Sequence, residues 1–276
     1  MAKILKKTIC GVLAATAAFG CLGMATACET SHPEVQIQIS FEGETYKLNY
    51  TLFRKVAPAT VEHFLVLAEE NYYDGLCVHD YSATRLLTGG YSYENDALQY
   101  KNYYETVKSY QNFPSTVYTQ GANGKGESTY TLCGEFGANK FEVTNGNKKE
   151  NYGALTMYYT DKSECEDTVY VEHPEAGQFQ RDYKYNSATS QFYISLTETE
   201  QSNSKYCTFA TLNDDSVDTL KALDQAIKTY VSSTAAREVT VNIDADDRFM
   251  NEYGKKETFD VLASPVVIED VVINKR

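Results

Sequence analysis

Hydrophobic and polar residues alternate in two successive runs, Val35, Ile37, Ile39 and Phe41, then Tyr46, Leu48, Tyr50 and Leu52. A period of two places each set on one face of a strand, and Glu42-Gly43-Glu44 turns the chain between them. Residues 35–53 are therefore expected to form an antiparallel hairpin. Pro58 then opens a helix in which Val61, Phe64, Leu65, Leu67 and Ala68 recur on one side, facing the sheet. Asn71 to Gly75 reads as a turn, and 76–81 and 84–88 as short strands closing at Gly89-Gly90. Further strands are expected at 129–133, 153–159, 191–196 and 206–212. A second amphipathic helix follows over 215–231, carried by Val217, Leu220, Leu223, Ile227 and Tyr230, and alternation returns over 237–243 and 265–273. Residues 92–130 show no clear period apart from a possible helix at 95–110. The glycines at 121–126 neither follow a convincing strand nor form a phosphate-binding motif, so they read as loop. Many short strands in series, with two helices far apart, predict one mostly β domain, an antiparallel barrel capped by helices.

A different pattern precedes the first strand. Lys3, Lys6 and Lys7 lead into an apolar run from Ile9 to Ala27, the arrangement of a targeting leader over 1–27. At its end Ala25-Thr26-Ala27-Cys28 resembles a bacterial lipobox, in which the cysteine thiol becomes diacylglycerated. Cys28 is thus the expected lipidation site and 28–34 a short tether. The protein is expected to be extracytoplasmic, lipid-anchored to the bacterial cell membrane. A plain secretory signal cut near Ala27 and an uncleaved anchor helix are the alternatives.

Charge narrows the partners. The chain carries 38 acidic and 25 basic residues, a formal charge of −13. Three of the basic residues and none of the acidic ones lie in the leader, so the body is more acidic still. Such a surface repels phosphate backbones, which excludes nucleic acid as a natural partner, and leaves the membrane to the lipid anchor alone. Beyond Cys28 the thiols are Cys77, Cys133, Cys165 and Cys207, with no CxxC pair and no histidine at zinc spacing. No metal and no cofactor is expected. Outside the cell the four permit two disulfides in any of three connectivities, with free buried thiols the alternative. The 23 tyrosines, with no tryptophan, would suit a wet, adaptable binding face.

Laid in order, several segments resemble the cyclophilin family of peptidyl-prolyl isomerases, specifically its bacterial form. APATVEHFLVLAEENYYDG (57–75) looks like the family's first helix and its turn. YTLCGEFGANKF (130–141) is similar to the G-E-F segment and YGALTM (152–157) to the R-G-x-L-S-M strand. NSATSQFYISL (186–196) resembles N-S-x-x-S-Q-F-F-I, SKYCTFATL (204–212) a later strand, and PVVIEDVVI (265–273) the closing one. The resemblance implies an eight-stranded antiparallel barrel with a helix over each open end, spanning 35–273. The extra length falls into insertions at about 92–128, 160–185 and 232–263, expected on loops.

The resemblance also implies a site. An X-Pro amide rotates against a barrier of ~18–20 kcal/mol because the nitrogen lone pair is delocalised. Members of the family seat the proline ring in an apolar cup and hydrogen-bond the twisting nitrogen through an arginine, while polar side chains hold the neighbouring peptide. The stretch carrying these groups falls on VHDYSATRLLTGG (78–90). His79 matches, the catalytic arginine falls on Asp80, the cup phenylalanine on Arg85, the neighbouring methionine on Leu86 and the substrate-holding glutamine on Thr88. Further on, Tyr158 and Tyr159 take the place of an Ala-Asn pair, Gln191 matches, and Tyr193, Gln201 and Tyr206 fall on cup and rim positions. Arg85 is the candidate to substitute for the missing arginine. The bland reading is an Asp80–Arg85 ion pair satisfying both charges. His79 is expected to be structural. The implied function is prolyl isomerisation or folding assistance for exported proteins through their proline-containing segments, with a rewritten and weakened site. A non-catalytic peptide- or protein-binding lipoprotein is the alternative.

Overall fold

Alternation in the first fifty residues produces the hairpin β1 (Glu34–Phe41) and β2 (Glu44–Leu52), with Ile37 opposite Leu48 and Ile39 opposite Tyr46. The computed structural model describes residues 30–122, 124–139, 149–159, 168–173, 177–197, 206–241 and 257–276. The leader, Cys28, Cys165 and Gln201 lie outside them. After the hairpin come α1 (Pro58–Glu69), β3 (Asp80–Ser82), β4 (Arg85–Thr88), β5 (Tyr91–Glu94), β6 (Ala97–Tyr100), α2 (Tyr103–Val107), β7 (Val117–Gly121) and β8 (Gly124–Ser128). The chain continues through β9 (Leu155–Met157), β10 (Thr168–His173), β11 (Gly177–Asp182), β12 (Phe192–Ser195), β13 (Thr208–Leu212), α3 (Val217–Ser233), β14 (Arg237–Val241), β15 (Glu257–Val261) and β16 (Val267–Lys275).

Eight strands form one antiparallel sheet in the order β16-β1-β2-β13-β9-β12-β4-β3. It curls until its two edges meet, where the Val78 amide donates to the Val266 carbonyl and the Ile268 amide to the Leu76 carbonyl, both at 2.8 Å. The barrel expected from the strand pattern is thereby formed, and Phe64 of α1 packs inside it against Phe192 and Phe209, with ring centroids 5.5 and 5.2 Å away. On the other long helix, Tyr230 of α3 meets Phe41 edge-on at 5.7 Å.

The G-E-F segment has a structural role that its spacing conceals. Ala57, at the start of α1, supplies no side-chain cap. The buried Glu135 caps the helix from a distant loop, accepting the Ala59 amide at 3.1 Å and the Thr60 amide at 2.8 Å. Gly134 leaves room for the Phe136 ring, which a Cβ there would strike at 1.9 Å.

The insertions are not plain loops. Residues 92–128 hold most of the β5–β6 hairpin, α2 and the β7–β8 hairpin, so the helix considered over 95–110 shrinks to 103–107. Asn95 and Asp96 both adopt positive φ, 51° and 59°, which makes the tight two-residue turn between β5 and β6. The glycine-rich stretch is likewise the tip of a hairpin. Tyr103, Val107 and Phe113 join the main core, while Val117 joins a second core with Cys133, Val169, Val171 and Tyr183. The 160–185 segment contributes β10 and β11 to a small sheet with β7 and β8, and 232–263 contributes the β14–β15 hairpin. The strand expected at 129–133 is reduced to a single bridge, Leu132 to Ala188.

Cys77, Cys133 and Cys207 are free and buried, so the free-thiol alternative holds for these three. Burial pushes the Cys77 thiol up to about 12 and raises the other two as well. The expected consequence is that a water-soluble maleimide leaves all three unlabelled in the native protein and labels them in denaturant. Rapid native labelling of any would contradict this placement.

Candidate functional site

Register sorts the matched residues onto two faces. Residues opposite one another in an antiparallel pair share a face, and neighbours along a strand alternate. One row runs Asp80, Leu87, Tyr193, Thr156, Thr208 across β3, β4, β12, β9 and β13. The next contains Arg85 opposite Ser195 on the same outer face. The interleaved rows, Tyr81–Leu86–Ile194–Leu155 and Thr88–Phe192–Met157, face the barrel core. Leu86 and Thr88, matched to substrate-binding positions, therefore lie on the inner face. Leu86 is core, and the buried Thr88 hydroxyl donates to the Cys77 carbonyl at 2.9 Å. Both follow from strand parity, since their neighbours Arg85 and Leu87 already occupy the outer positions.

A ladder of rings leads from the main core to the outer face. Phe136 contacts Tyr159 at 5.3 Å, Tyr159 stacks on Tyr206 at 5.5 Å, and Tyr206 meets Tyr193 edge-on at 6.3 Å. The ladder ends in a cation, for the Arg85 guanidinium lies 5.3 Å from the centroid of the Tyr193 ring. Tyr159 and Tyr193 are both nearly inaccessible, and burial raises each phenol well above its ordinary value. Tyr158 and Tyr206 are half-buried, and Arg85 is exposed. The Tyr158 amide donates to the Gln191 carbonyl at 2.9 Å.

Asp80 and Arg85 do not form the ion pair considered above. No carboxylate among the described residues reaches ion-pair distance of the guanidinium. Instead Asp80 Oδ1 accepts the backbone amide of Asp260, in β15, at 2.9 Å. Burial raises the Asp80 carboxyl, a shift opposed by that hydrogen bond and by the charge of Arg85. Glu150, missed in the sequence reading, is also buried here. Its carboxyl is raised by burial, with Arg85 and the Ser195 hydroxyl working in the opposite direction. Its only sequence signal was proximity to the YGALTM segment.

His79, matched to a family site position, lies inside the fold. It is fully buried between Tyr91 and Phe259, at ring distances of 4.7 and 5.0 Å, and burial lowers it to about 3. The Cys77 backbone and Gln191 side chain are its polar neighbours, neither within hydrogen-bond geometry of the ring nitrogens. Gln191 is itself buried against Gly90, where a Cβ would come 2.9 Å from its amide carbon. The β14–β15 hairpin supplying Phe259 and Asp260 packs on the β5–β6 hairpin through a third core that includes Tyr91, Leu98 and Val261. Two insertions thus meet beside the Asp80 position. Gln201 lies outside the described residues, as does the lipidation site. Among the described residues no group of histidine, cysteine and carboxylate side chains could hold a metal ion, and no helix is long and apolar enough to cross a membrane.

The family described as cyclophilin type peptidyl-prolyl cis-trans isomerase matches residues 35–244 of the chain. Among solved structures, the chain is similar to a cyclophilin type peptidyl-prolyl cis-trans isomerase of Cryptosporidium parvum, with 18% identity and a TM-score of 0.44. That match covers 89% of this chain and 99% of the other. It is also similar to the Mimivirus cyclophilin, at 15% identity and a TM-score of 0.40, covering 76% and 84%. No curated protein matches the sequence.

Proposed function

The chain belongs to the cyclophilin-type peptidyl-prolyl cis-trans isomerase family, and from that membership we propose a folding assistant for exported proteins that binds proline-containing segments but isomerises them weakly. The observation that carries the reading is the Asp80 carboxylate, held by the Asp260 amide at the position matched to the family's arginine. A carboxylate oxygen already accepting a hydrogen bond offers no donor to a prolyl nitrogen. The neighbouring cup position is changed too, since Arg85 lies over the ring of Tyr193. Fold alone does not carry activity, and here the barrel is kept while the groups that would act on the amide are replaced. The test pairs two measurements on the chain without its leader: binding of a labelled proline peptide and a proline-isomerisation assay. Binding with turnover close to background supports the reading. Turnover at the level of an ordinary family member would overturn it.

Cys28 is proposed as the lipid anchor. Acyl chains contribute ~0.8 kcal/mol per buried CH₂, so Cys28→Ser should shift the protein from the membrane fraction to the soluble one. An unchanged membrane fraction would remove the lipobox reading and favour an uncleaved helix.

A further inference from the structure

We infer that Arg85 is a receptor for a peptide carboxylate, so that the segments bound on this face are those carrying an acidic group beside the proline; this rests on the peptide-binding reading above. The guanidinium is exposed, and no described residue accepts a hydrogen bond from it or pairs with it. It is not free to wander, because the Tyr193 ring lies 5.3 Å away. A guanidinium laid against a ring turns its planar edge outward, and that edge carries N–H groups in the fork that matches the two oxygens of a carboxylate.

Among the described residues, the two acids that feel its charge most directly are otherwise engaged. Asp80 Oδ1 takes the Asp260 amide, and Glu150, only 8% exposed, lies by the Ser195 hydroxyl. Both feel the charge of Arg85 without closing on it. Beside the Tyr193 ring, Tyr206 offers half-exposed aromatic area for the rest of an extended segment. The chain's charge of −13 opposes approach of an acidic peptide from a distance, but that repulsion is screened beyond about 8 Å at physiological salt, whereas a bidentate contact is made at hydrogen-bond range.

The test is fluorescence anisotropy on the full chain in mild detergent, with three labelled peptides. One is Ala-Glu-Pro-Ala with an amidated end, the second replaces Glu by Gln, and the third is the Gln peptide with a free C-terminal carboxylate. Tighter binding of the Glu peptide than the Gln peptide by about tenfold is expected, with the preference removed in Arg85→Gln and partly kept in Arg85→Lys, which has the charge but not the fork. If the third peptide rather than the first shows the gain, and loses it in Arg85→Gln, the carboxylate read is that of a chain terminus. Equal, measurable binding of all three overturns this inference and leaves peptide binding intact. No binding of any overturns the peptide-binding reading, and the inference with it.

Discussion

Exchanging the two rewritten positions together, Asp80→Arg with Arg85→Phe, is expected to raise prolyl isomerisation by about 100-fold, roughly 2.7 kcal/mol of transition-state stabilisation. The unmodified chain should turn over at least ~100-fold more slowly than an ordinary family member, because its outer face presents an acceptor where the reaction needs a donor. Asp80 and Leu87 are opposite one another, as are Leu87 and Tyr193, so an arginine at position 80 shares the face of the Tyr193 cup. Removing the Arg85 side chain clears the ring it covers, and a phenylalanine rebuilds an apolar wall. Asp80→Arg alone should gain less, since the cup stays covered. The exchange takes the acceptor from the Asp260 amide, an exposed hydrogen bond worth about 1 kcal/mol. Phe259 still seats the β14–β15 hairpin against His79 and Tyr91, so the fold should survive. A folded double variant with unchanged turnover would locate the block elsewhere. Full activity in the unmodified chain would refute the residue-by-residue match.

Acid should unfold this protein early, through two histidines. His63 and His79 are both fully buried, and burial lowers each from 6.5 to about 3. Between those values the unfolded chain binds more protons than the native one, so stability is fully present above pH 6.5 and lost as the pH falls. Each group contributes up to ~1.4 kcal/mol per pH unit once the pH is well below 6.5, and half that at 6.5 itself, so from pH 6.5 to 5 the pair removes about 3 kcal/mol, a large part of a typical domain's 5–15. The half-buried Asp80 and the buried Glu135 and Glu150 have carboxyls shifted up by desolvation, and they work in the opposite sense, from ordinary values of 3.8 and 4.5. They moderate the slope at its acid end. Urea unfolding at pH 7, 6 and 5 measures the effect, with His63→Phe and His79→Phe each halving the slope between pH 6.5 and 5. Identical pH dependence in all three proteins would mean that neither histidine is held neutral by burial.

How much of this was legible beforehand depended on the range of the interaction. The β1–β2 hairpin, the start of α1 at Pro58 and the span of α3 are set by local periodicity and a proline, and they stand within a residue or two of their expected positions. The glycine-rich hairpin at 121–126 was missed because its strands are polar on their exposed face and carry no clean alternation. The β5–β6 turn was missed because Asn-Asp supports two left-handed residues without a glycine to mark it. The bond from Asp260 to Asp80 spans 180 residues and left no trace in either segment. That Leu86 and Thr88 face inward follows from register with β12, a pairing of strands more than a hundred residues apart in the chain.

The sequence by itself determined the β1–β2 hairpin, the start of α1, the span of α3 and the family, because those depend on residue identity and short periods. Only the tertiary structure decided what the altered residues do. Whether Asp80 pairs with Arg85 or with a backbone amide, and whether Arg85 turns to an acid or to the Tyr193 ring, depends on which distant strand is folded beside them. A charged side chain takes the partner that packing brings within a few ångströms, and that partner is fixed by the closure of the barrel and the seating of its inserted hairpins rather than by any neighbour along the chain.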